Sequence, residues 1–147
     1  MIYKISPHPS LLKRGKEKAE ITHSITQRTL LINDPRHIEA LAIWESVLSG
    51  KNFAIMPYSV LVEVVASIRR RTGSEKLALE VKHELLNIDT ASFVVLDDKS
   101  AGEAAEFAAR TGVRGMDALV IQVSKEFGTE LISFDEEMIL KSGKLKI

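Results

Sequence analysis

Apolar residues recur at helical spacing along most of this chain, and the stretches that break the rhythm are short and apolar throughout. Ile38, Leu41, Ala42, Trp44, Val47 and Leu48 mark one face of a helix that Gly50 stops. Asp34 followed by Pro35 predicts its start, because Asp accepts free N–H groups and Pro fits the first helical turn. Phe53–Met56 is an apolar run that Pro57 ends, as expected of a buried strand. Ser59 is placed to cap a helix through Arg71 whose stripe is Leu61, Val64, Val65 and Ile68. Thr72-Gly73-Ser74 interrupts the pattern, and Ser74 caps a further helix ending near Asn87.

Phe93 to Leu96 predicts a second buried strand, and Asp97 or Asp98 opens an alanine-rich helix that closes at Thr111-Gly112. Another helix follows from about Met116 to Phe127, stopped by Gly128. Leu131 to Ser133 then predicts a third strand, and Asp135 a last short helix. Strands that alternate with helices and are apolar on both faces predict a parallel sheet covered on each side. The first part of the chain has no such rhythm. Residues 1–20, with Pro7, Pro9, Gly15 and several lysines, read as a loop or weakly ordered arm preceding one domain over 21–147. Ile21 to Ile32 is ambiguous and suits a first strand running into a short helix.

At 147 residues there is room for one domain with a real core, and the low aromatic share, 5%, makes that core aliphatic. Twenty basic and twenty acidic residues balance, which argues against a broad grip on nucleic acid and leaves room for a local patch. The absence of cysteine removes disulfides, thiolate metal sites and cysteine nucleophiles. With no run of membrane-span length and no basic-then-apolar leader, a cytoplasmic protein without a membrane role is expected.

Three acidic residues stand out by position. Glu63 lies one turn into the helix after the first strand, in the otherwise apolar stretch Val60 to Ala66. Asp117 lies in the first turn of a helix that continues Ala118, Leu119, Val120 and Ile121. Asp135 directly follows the third strand. Ligands of such sheets bind outside the carboxyl ends of the strands, where these three side chains could meet. Three gathered carboxylates repel one another unless a cation or a proton relieves them, and oxygen-only ligands favour Mg²⁺ or Mn²⁺. Taken singly, each has an ordinary reading. Glu63 suits an exposed or salt-bridged helix position, Asp117 the positive end of its helix, and Asp135 an N-cap.

The segments around these residues resemble a known family. Pro57-Tyr-Ser-Val-Leu-Val-Glu-Val-Val-Ala-Ser-Ile-Arg-Arg-Arg-Thr-Gly73 resembles the second characteristic segment of PIN domains. Gly112-Val-Arg-Gly-Met-Asp-Ala-Leu-Val-Ile-Gln122 is similar to their third, and Glu130-Leu-Ile-Ser-Phe-Asp-Glu-Glu-Met138 to their fourth. Order and spacing agree over about Thr29 to Lys141. The resemblance implies a PIN-like three-layer α/β/α fold with a central parallel sheet and an acidic pocket for one or two divalent ions. It further implies a metal-dependent endoribonuclease, with Glu63, Asp117 and Asp135 as catalytic metal ligands for Mg²⁺ or Mn²⁺. Ser133 matches a position near that site, and Arg114 could hold a substrate phosphate or pair with a site carboxylate. Many members are toxins of toxin–antitoxin pairs of the VapC type, so an RNA substrate, a small antitoxin and a homodimer are the expected partners.

One segment departs from the family pattern. The family's first strand ends in a ligating Asp, whereas Met1-Ile2-Tyr3 continues as Lys4-Ile5-Ser6 and no Asp precedes Asp34. Counted back from Asn33-Asp34-Pro35, the expected position falls near His23, while Asp34 itself reads as a helix cap. An imidazole there removes one negative charge and suits softer ions than Mg²⁺. The alternative expectation is therefore a PIN-fold protein with impaired catalysis, acting as an RNA- or protein-binding module. Arg69-Arg70-Arg71 either complements its helix terminus or contacts phosphate.

Overall fold

The computed structural model describes residues 37–131 and 136–143. Its elements are α1 (His37–Leu48), β1 (Ala54–Pro57), α2 (Tyr58–Thr72), α3 (Glu75–Leu86), β2 (Ala91–Val94), α4 (Asp98–Thr111), α5 (Gly115–Glu126) and α6 (Glu136–Gly143). The arm, the Ile21–Ile32 region, His23, the Asp34-Pro35 helix start, the Ile132-Ser133 part of the expected third strand, and Asp135 lie outside the described residues. Glu130 forms a single-residue bridge at the start of that third-strand region.

β1 and β2 pair in parallel, with Ala54 opposite Ala91 and Pro57 opposite Val94. All four residues of β1 are buried, so both of its faces are covered, as its unbroken apolar run requires. Two helices, α2 and α3, form the crossover between the strands, and α3 packs against β2. Helix α5 packs on β1, on α2 and most extensively on α4. The chain is an α/β domain built on a parallel sheet, as the alternation of periods predicts.

The core is aliphatic with two aromatic anchors. Val47, Ile68, Val120 and Ile121 are shielded almost completely, and Trp44 and Phe107 close the cluster beside them. Trp44 is thus a core residue. Thr90 ties the start of β2 to the end of α1, its hydroxyl donating to the Val47 carbonyl at 2.7 Å. Between α4 and α5 the seam is polar at one end. The Gln122 amide nitrogen donates to Glu103 at 3.1 Å and to Glu126 at 2.9 Å.

Capping explains most boundaries. The Ser74 hydroxyl accepts from the Leu77 N–H, and the Asp97 carboxylate accepts from the Ser100 N–H at 2.8 Å. Hydrogen bonding from the Ser100 backbone N–H, and then from its side chain, holds the Asp97 carboxyl below its ordinary value. Gly73 and Gly112 end α2 and α4 in the left-handed conformation, with φ of 68° and 67°, which a side chain would strain.

Two expectations need correction. The second strand is Ala91–Val94, not Phe93–Leu96, and it is only partly buried. Val95 and Leu96 instead form the exposed link to the Asp97 cap. Ser59 is not the cap of α2. The helix starts at Tyr58 straight from the strand, with Pro57 at the cap position and no side-chain bond there.

Candidate active site

Glu63 rides on α2, which springs from the carboxyl end of β1 with no intervening loop. Its neighbours Val60, Leu61 and Ile68 turn inward and Glu63 turns outward, so its carboxylate is exposed. It makes no hydrogen bond or ion pair with another described residue. The salt-bridged reading of Glu63 is therefore not what the described residues show. An exposed carboxylate with no partner among the described residues, on the helix that follows β1, is open to a ligand.

Asp117 has the opposite setting. It sits in the first turn of α5, and its side chain is only 7% exposed. Arg114, the cap residue of the same helix, donates from Nε to Asp117 Oδ2 at 3.0 Å. The arginine side chain is itself 75% exposed, so the pair is a buried anion held at the surface end by a solvated cation. Free N–H groups at the helix start add a favourable field for that anion. One contact of Arg114 in the structure is therefore this ion pair with Asp117.

Helix α5 touches both β1 and α2, so the elements bearing Glu63 and Asp117 are neighbours in the core. Among the described residues no three His, Asp or Glu side chains gather as a metal-binding group. Asp135 and Ser133, which the family pattern adds to the set, lie outside the described residues. The donors that are described fit a hard divalent ion. Both are carboxylates, and no thiol exists in the chain to draw a softer metal.

Ser59 carries a signal that periodicity could not. Its hydroxyl is buried and has no hydrogen-bond partner among the described residues, one helical turn before Glu63. A buried hydroxyl left unsatisfied costs free energy, about 1–3 kcal/mol, unless a further group comes to meet it. Reading Ser59 as a cap hid this, because a cap would have satisfied the same oxygen.

The PIN domain family model matches residues 28–143. The chain therefore belongs to the PIN domain family, whose fold is of the nuclease type and is generally associated with nucleic acids and divalent metals. No curated protein and no solved structure matches the chain significantly. No helix among the described residues is long and apolar enough to cross a membrane.

Proposed function

We propose that the chain is a Mg²⁺- or Mn²⁺-dependent endoribonuclease of the PIN type, acting as the toxin of a toxin–antitoxin pair. The observation that carries this reading is Asp117, a carboxylate almost wholly withdrawn from water at the start of α5, on a helix packed against the one that presents Glu63. Burying an anion is costly, and sequences keep such a group where its charge is used. Glu63, Asp117 and Asp135 would hold the ion, with Ser133 beside them. When bound, the ion supplies acidity to a water and neutralises charge at the scissile phosphate.

The chain's own residues have separable roles. Asp117 provides a preoriented carboxylate, held by Arg114 and largely withdrawn from water. Glu63, exposed and without a partner among the described residues, closes the donor set from α2. Arg114 keeps most of its surface in water, so its guanidinium can also meet a substrate phosphate. A small antitoxin, a homodimer and a cytoplasmic setting complete the proposal on the family resemblance.

The test is cleavage of single-stranded RNA by the native chain with Mg²⁺ or Mn²⁺, with and without a chelator. Cleavage should appear with metal, vanish with excess chelator and return when metal is restored. Activity indifferent to chelation would remove the metal-dependent mechanism. A second reading is favoured by one specific observation, the lack of any Asp before Asp34. On that reading the native chain binds RNA or protein without cutting, and His23→Asp restores some cleavage; robust native activity would dismiss it.

A further inference from the structure

Helix α2 ends in three consecutive arginines, all exposed, and they are not equivalent. Arg71 is engaged with another group. Arg69 folds toward the helix end, its Nη1 standing 3.9 Å from where a Cβ on Gly73 would lie. Arg70 has neither a hydrogen bond nor an ion pair with any other described residue. It is a solvated cation with nothing assigned to it.

Its position along the helix matters more than its charge. Arg70 follows Glu63 by seven residues, about two turns, which returns the side chain to within ~20° of the same row and ~10.5 Å further on. Ala66 and Ser67, the positions between them on that side, are short and half-buried. Of the buried positions, Leu61 and Ile68 lie around the other side of the helix, and Val60 flanks the row about 60° away. A carboxylate and a guanidinium thus share one row on α2 with only short side chains between them, in a chain whose overall charge is zero. A neutral protein that grips a polyanion must do so with local, aligned cations of this kind.

We propose that Arg70 is a substrate-binding residue that holds a backbone phosphate of the RNA strand, flanking the scissile phosphate, with the strand laid along the Glu63–Arg70 row. This rests on the ribonuclease reading for its choice of ligand. The contact is to phosphate and carries no sequence preference. It sets the register of the strand relative to Glu63.

The test measures binding of two single-stranded oligoribonucleotides of unrelated sequence, with EDTA present so that no strand is cut. Native chain, Arg70→Gln and Arg69→Gln are compared across about 50 to 200 mM salt. Arg70→Gln should weaken binding of both sequences by the same factor, about 3- to 10-fold, and reduce the salt slope by about 0.7, the value for one phosphate contact on a single strand. Arg69→Gln removes the same charge from the same turn on a different side and should change affinity less than about twofold. Unchanged thermal midpoints would show that both variants fold. Equal effects of the two variants, or an unchanged slope in Arg70→Gln, would overturn the proposal. Native chain that binds RNA in this Arg70-dependent way yet cuts nothing with Mg²⁺ or Mn²⁺ would defeat the nuclease reading and leave the phosphate contact standing. Native chain that cuts RNA with no change of KM in Arg70→Gln would defeat the phosphate contact alone. Native chain that binds no RNA defeats both.

Discussion

Asp117→Asn is expected to abolish metal-dependent RNA cleavage while leaving the protein as stable as before. Metal stabilisation of transition-state charge is worth several kcal/mol, and each 1.36 kcal/mol is tenfold in rate, so the loss should be at least about 100-fold. Stability should move little because two effects oppose. Removing the charge forfeits about 0.3–1 kcal/mol at the helix start. It also relieves the cost of keeping a carboxylate 7% exposed, and Asn retains an oxygen for the Arg114 donor. For a chain of this size the thermal midpoint should stay within roughly 3 °C. RNA cleavage measured beside thermal denaturation checks both halves. A variant that still cuts at near-native rate removes Asp117 from the chemistry, and one that unfolds makes Asp117 a structural residue first.

Ile68→Ala is expected to give the largest loss of stability. Ile68 has no exposed surface and sits on the inward stripe of α2, the helix that carries Glu63 and Arg70. Truncation of such a side chain costs about 2–5 kcal/mol, the lost transfer energy plus the cavity left behind. That corresponds to a fall of about 10 °C in the thermal midpoint. The exposed Val62 on the same helix gives the contrast, since Val62→Ala should stay within about 0.5 kcal/mol. Denaturant titration of both variants tests the packing of α2. Similar small losses from the two would mean that Ile68 is not enclosed as described.

The contrast between those residues also shows what the sequence discloses. The stripe of Val60, Leu61, Val64, Val65 and Ile68 announces α2 because a helix that buries one face must repeat its apolar positions every turn. Ser74, Gly73 and Gly112 announce boundaries because few residues can accept a free N–H or adopt positive φ. β2 was less legible. Its true span includes Ala91 and Ser92, and the more apolar Val95 and Leu96 lie beyond it in exposed chain. Parallel register there follows β1, a partner far away in sequence, and no local pattern encodes that.

Within the candidate site, Glu63 and Asp117 were visible as carboxylates interrupting apolar stretches. Their contrasting environments were not, because exposure at one and burial at the other follow from how α5 meets α2 and β1. Ser59 was misread for a related reason. A serine after a strand suggests a cap, yet α2 begins one residue earlier and turns that hydroxyl inward. For Arg114 the sequence leaves phosphate and carboxylate both open, and its 3.0 Å contact to Asp117 depends on how the first turn of α5 folds.

The central claim is that Glu63 and Asp117, far apart in the chain, are donors to one divalent ion. Its most direct test is a crystal structure of the native protein soaked in Mn²⁺, read from the anomalous signal of the ion. One peak is expected, with carboxylate oxygens of Glu63 and Asp117 at about 2.0–2.2 Å, the range of small hard divalent cations. A peak elsewhere on the molecule, with those two carboxylates too far apart to share any ion, would contradict it.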